Sequence, residues 1–165
     1  MLISPQYANQ FLKNYKALLT AILGFKPSSL DEWVEGRLAL MNTLTEDPAY
    51  VQTLELDVEF KVGLSEAVYG DFCFLKRYKN YCALQHLESG VFFGVSSLTT
   101  PLEEMIPEYS IITTGVIPFS GVMVCDGLVQ ASNMILGKNY ARSMRDGYWE
   151  AKRDGSLVLN VNAEK

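Results

Sequence analysis

Asp71-Phe72-Cys73-Phe74-Leu75-Lys76-Arg77-Tyr78-Lys79-Asn80-Tyr81-Cys82-Ala83-Leu84 is the stretch on which the reading of the fold turns. Upstream of it, apolar residues recur at helical spacing. From it onward they come in short runs separated by turn residues, the pattern of strands. Val91-Phe92-Phe93-Gly94-Val95 follows the turn Glu88-Ser89-Gly90, and Ile111 to Ile117 and Val122 to Cys125 flank Pro118-Phe119-Ser120-Gly121. Asp126-Gly127 supplies a further turn, and Pro101 to Met105 a single helical turn.

Outward from this block the period is helical. Ser4-Pro5 places a capping hydroxyl before a proline whose missing N–H does no harm at a first helical position. Tyr7, Phe11, Tyr15, Leu18, Leu19, Ile22 and Leu23 then stripe one face until Gly24 and Pro27. Ser29 and Glu32 have capping-box spacing, and Trp33, Val34, Arg37, Leu38, Met41 and Leu44 continue a second helix that stops before Asp47-Pro48. The pair reads as an αα-hairpin. Residues 49–69 fit both periods; a helix over the later part, ending at Gly70, is the expectation. After Gly137 a last helix carries Tyr140, Ala141, Met144, Tyr148 and Ala151 on one face and ends at Asp154-Gly155. Leu157, Val158, Leu159 and Val161 suggest a closing strand. Helices first, strands next and a helix last predict one α+β domain over residues 1–165. Its sheet is mainly antiparallel, flat or curled towards a small barrel.

Composition narrows the function classes. The chain has 165 residues with 12% aromatic and 20% charged side chains, too well cored for a disordered segment. Its net charge is −5, against a strongly basic nucleic-acid binder. That charge is uneven: residues 1–71 hold 10 acidic and 5 basic side chains, residues 72–165 hold 9 of each. The opening segment has no basic start, and Lys13 and Lys16 interrupt it, so it reads as neither signal peptide nor membrane span. Cys73, Cys82 and Cys125 lie in apolar runs without a Cys-x-x-Cys pair, as reduced buried thiols of a cytoplasmic protein do. One histidine, His86, and no metal-ligand spacing leave neither a zinc site nor a cofactor motif.

Three constellations remain. Lys76, Arg77, Tyr78 and Lys79 mix cations with aromatics, the chemistry that holds single-stranded nucleic acid by phosphate contact and base stacking. Arg142, Arg145, Lys152 and Arg153 form a basic face on the last helix, available to the acidic front half or to an external anion. Asp126 at a strand end, with Glu103 or His86, supplies carboxylate chemistry for a hydrolase, although Asp-Gly is first of all a turn.

Tyr69-Gly70, Phe74 to Lys79, Phe93-Gly94-Val95, Leu98-Thr99, Pro101 to Glu104, Pro118-Phe119 and Asp126-Gly127-Leu128 resemble a segment of uncharacterised bacterial proteins. The resemblance spans residues 69–155 and implies a bacterial-type domain. Some of those proteins carry a cysteine-rich metal-binding tail that has no counterpart in this sequence, so no metal function and no active residue follow. The expectation is a non-enzymatic binding module without cofactor or membrane contact. Its partner is a protein or a second copy, met through the αα-hairpin or an exposed sheet face. Binding of RNA or single-stranded nucleic acid through Lys76, Arg77, Tyr78, Lys79, Arg142 and Arg145 is the alternative, and a carboxylate-dependent hydrolase the second.

Overall fold

The computed structural model describes residues 1–159. Helix α1 (Pro5–Leu23) starts where the Ser4 hydroxyl accepts from the Tyr7 N–H, and stops at Gly24 in the left-handed region. Helix α2 (Leu30–Glu46) is capped by Ser29, whose hydroxyl accepts from the Glu32 N–H, while Glu32 accepts from the Ser28 N–H. A 3-10 turn (Tyr50–Thr53) and the short helix α3 (Val58–Ser65) follow. The helix expected to run to Gly70 therefore ends at Ser65, and Gly70 lies inside the first strand. Phe60 and Leu64, four apart, are both buried and fix the helical solution; Val68 already belongs to the sheet.

The strands are β1 (Val68–Arg77), β2 (Cys82–His86), β3 (Phe92–Ser96), β4 (Ser110–Phe119), β5 (Val122–Cys125) and β6 (Gln130–Ile135). A one-turn helix α4 (Leu102–Met105) joins β3 to β4, and α5 (Lys138–Asp154) closes the architecture. All pairings are antiparallel except β3 with β5. Because β1 pairs with both β2 and β4, the order β1-β2-β3-β5-β4 returns to β1 and the strands form a ring. The sixth strand, absent from the sequence reading, hangs on β4 with all six residues exposed. The closing strand is reduced to one bridge between Phe93 and Val158; Val161 lies outside the described residues.

Period-two alternation sorts the ring's side chains. Phe72, Phe74, Cys82, Leu84, Phe93, Val95, Ile112, Val116, Met123 and Cys125 fill one core with Leu102 and Ile106. On the other side of the strands, Ile117, Phe119 and Val124 meet the helical hairpin and α3, while Leu75, Ala83 and Phe92 meet Tyr148 and Ala151 of α5. The exposed sheet face expected as a contact surface is thus covered twice, and β6 alone is left bare. Where α3 crosses β4, a Cβ on Gly63 would stand 2.2 Å from the Pro118 carbonyl oxygen, so only glycine permits that approach.

Candidate functional site

Asp126 is not an available carboxylate. It is 2% exposed and accepts hydrogen bonds from the Tyr15 hydroxyl (2.8 Å), the Thr114 hydroxyl (3.1 Å), the Leu128 N–H (2.9 Å) and the Arg37 guanidinium (3.2 Å). Arg37, 3% exposed, also donates to the Leu128 carbonyl. The pair bolts α2 to the end of β5, and Gly115 leaves it room, since a Cβ there would stand 2.8 Å from Asp126 Oδ2. The Tyr15 phenol is held well above its ordinary pKa, first by burial and then by the adjacent Asp126 charge.

The other hydrolase candidates do not join it. Glu103 pairs with Arg77 (3.4 Å) and accepts from the Cys82 thiol (3.3 Å). His86 is buried, with Nδ1 on the Ser89 hydroxyl at 2.7 Å and Nε2 without a partner among the described residues. Among those residues no cluster of His, Cys, Asp and Glu is arranged to hold a metal ion. Nor, among the described residues, is any helix long and apolar enough to cross a membrane.

All three cysteines are buried thiols. Burial pushes Cys73 and Cys82 up to about 12 and Cys125 up to about 11, with the Glu103 hydrogen bond adding to Cys82 and the Asp126 charge to Cys125. At pH 8 that leaves about one thiolate in a thousand or fewer. We expect iodoacetamide to leave the native protein unmodified over minutes and to label all three cysteines after denaturation, as intact mass would record. Rapid native labelling of any one would contradict the burial described.

The basic residues behave differently. Tyr78, just past β1, stacks on Tyr148 of α5 (ring centroids 4.5 Å apart) and meets Trp149 edge-on at 5.9 Å. Tyr148 in turn shares a 2.6 Å hydrogen bond with Tyr81. This aromatic clasp brings the β1–β2 loop and α5 onto one face. Lys76 Nζ lies 5.1 Å over the Tyr78 ring, and Lys79 is exposed in the loop beside it. Burial, then the neighbouring Tyr109 and Tyr81, push the Tyr78 phenol up to about 12, while Arg145 draws it back. Tyr109 is likewise raised by burial and lowered by the Arg145 guanidinium, with which it lines one cavity. Arg77 does not belong: strand alternation turns it the other way, onto Glu103.

Along α5, Lys138, Arg142, Arg145, Trp149 and Lys152 recur at intervals of four, three, four and three residues, one line beside the buried stripe of Ala141, Tyr148 and Ala151. Lys152 Nζ sits 5.0 Å over the half-exposed Trp149 ring. The acidic residues Asp146, Glu150 and Asp154 follow the adjacent line, with Asp146 one turn from Arg142 and no ion pair between them. Among the described residues the ion pairs are Arg37–Asp126 and Arg77–Glu103, so none joins the α5 cations to the acidic front half. That corrects one of the two uses expected of this face. At its N-terminal end, Lys138, Asn139, Arg142 and Arg145 line a cavity of about 460 Å³ with Tyr109 and Leu136.

Of the six residues expected to bind, the structure thus gathers Lys76, Tyr78, Arg142 and Arg145, leaves Lys79 at the rim and removes Arg77. It adds Lys138, Trp149 and Tyr109. Trp149 was legible in principle, because it falls on the basic line of the helix rather than on its apolar one. No family model, curated protein or solved structure matches the chain.

Proposed function

We infer that the protein is a binding module for single-stranded nucleic acid. Its contact surface is the face formed by Lys76, Tyr78, Lys79, Lys138, Arg142, Arg145, Trp149 and Lys152. The observation that carries the reading is the continuous cationic line of α5, with an exposed indole within it and without an acidic side chain. In a chain of net charge −5 such a line concentrates positive potential on one face, where it attracts an anion. A strand of nucleic acid supplies both complements, since phosphates take the cations and a base takes the indole face. From Lys138 to Lys152 the helix rises about 21 Å, room for a few nucleotides, as single-strand sites require. In five-stranded Greek-key folds that hold oligonucleotides, the β1–β2 loop is a recurring contact element, and here it carries Lys79 next to Tyr78. An analogy of architecture carries no function by itself; the side chains do.

The test is titration with single-stranded oligonucleotides of about ten residues, read by tryptophan fluorescence. Stacking on Trp149 is expected to quench emission in the wild type, and Trp149→Phe, which leaves Trp33 as reporter, to abolish the quench. Loss of the stacking indole in Trp149→Ala is expected to weaken binding by about 1–3 kcal/mol. Binding that leaves Trp149 emission unchanged, or an acidic peptide binding this face in preference to the oligonucleotide, would overturn the reading.

A further inference from the structure

The cationic line does not simply run off the end of α5. It opens into the cavity of about 460 Å³ in which Lys138, Arg142 and Arg145 converge with Tyr109, Asn139 and Leu136. That volume is the size of a small-ligand pocket, and its wall holds three cationic side chains and no carboxylate. Two acids adjoin it in sequence, Glu108 beside Tyr109 and Asp146 one turn beyond Arg142, but neither is part of the wall. An internal phosphodiester brings one negative charge to such a place, whereas a phosphate monoester brings about 1.5–2 and three strong acceptor oxygens. Guanidinium groups suit those oxygens because their donors lie in a plane and bind in pairs. Asn139 and the Tyr109 ring offer an amide and an aromatic face to the sugar and base beside the phosphate.

We propose that this cavity is an end-recognition site: it takes the terminal phosphate monoester of a single strand, whose following nucleotides lie along Arg145, Trp149 and Lys152. The proposal rests on the single-strand reading and sharpens it from a strand to a strand with a phosphorylated end.

The experiment compares three oligonucleotides of one sequence, bearing a 5′-phosphate, a 3′-phosphate or hydroxyls at both ends, in fluorescence anisotropy with the full chain. One phosphorylated form is expected to bind about tenfold or more tightly than the hydroxyl form. Lys138→Ala and Arg142→Ala are expected to erase that difference. Lys152→Ala, at the far end of the line, is expected to weaken all three strands alike and preserve it. All sites of substitution are on the exposed part of α5, and circular dichroism is expected to show each variant folded as the wild type. Equal affinity for the three strands overturns the end site while leaving strand binding intact. If no strand binds, a nucleoside monophosphate titrated alone decides the cavity: binding lost in Arg142→Ala supports a monoester site, and no binding overturns it.

Discussion

Arg37→Ala is expected to cost about 3–5 kcal/mol of folding stability, a large share of the roughly 5–15 kcal/mol available to a domain of this kind. The cause is the charge left behind. Asp126 is buried and its acceptors are shared among Arg37, Tyr15, Thr114 and the Leu128 N–H. Without Arg37 an uncompensated carboxylate remains inside the protein, and the Leu128 carbonyl loses its donor. Asp126→Ala should cost a similar amount, because it strands a buried guanidinium together with two hydroxyls and an N–H. The double variant should lose less than the sum of the singles, since each single already removes the pair. Urea unfolding of the four proteins measures this directly. Strictly additive losses, or a cost below about 1 kcal/mol for Arg37→Ala, would show the pair to be incidental.

Phe60→Ala is the second large loss, about 3–5 kcal/mol. The ring is fully buried, with centroids 5.4 Å from Phe11, 6.1 Å from Tyr15 and 6.4 Å from Phe119. It joins α1 and α3 to the outer side of β4. The cavity left by truncation cannot close easily, because at Gly63 α3 already lies so near the Pro118 carbonyl that a Cβ would not fit. Val62→Ala, two residues on and on the opposite, exposed side of α3, should change stability by no more than about 0.5 kcal/mol. If the two substitutions cost the same, α3 does not pack as described.

Local chemistry made the helices readable. Ser4-Pro5, Gly24, Ser29 with Glu32, and Gly155 are capping signals that act within a turn or two, and each stands where the structure uses it. The strands of the ring were readable because much of each is buried on both sides, so apolar residues mark them. β6 escaped for the converse reason: with every residue exposed, Gln130 to Ile135 has no alternation to display. Residues 58–68 satisfied two periods at once, and a tertiary contact of Phe60 and Leu64 chose between them. Arg37 left a faint trace, a cation within the apolar stripe of α2, but its partner lies 89 residues away and nothing local names it. The same limit applied to the candidate site. The basic-aromatic loop and the basic helix were each visible, yet only the Tyr78–Tyr148 stack shows that they share a face. Arg77 looked equivalent to its neighbours until strand alternation turned it to Glu103.

The central claim is that the α5 line and the β1–β2 loop hold the phosphates of a single strand. Its most direct test is the salt dependence of oligonucleotide affinity in the wild type and in Arg142→Ala, Arg145→Ala and Lys152→Ala. Each phosphate neutralised contributes a slope of about −0.7 in a plot of log affinity against log salt for single strands. The account predicts a steep negative slope in the wild type that becomes shallower by about 0.7 with each cation removed, while Arg77→Ala leaves it unchanged. A slope near zero, or one that the three α5 substitutions do not alter, would contradict it.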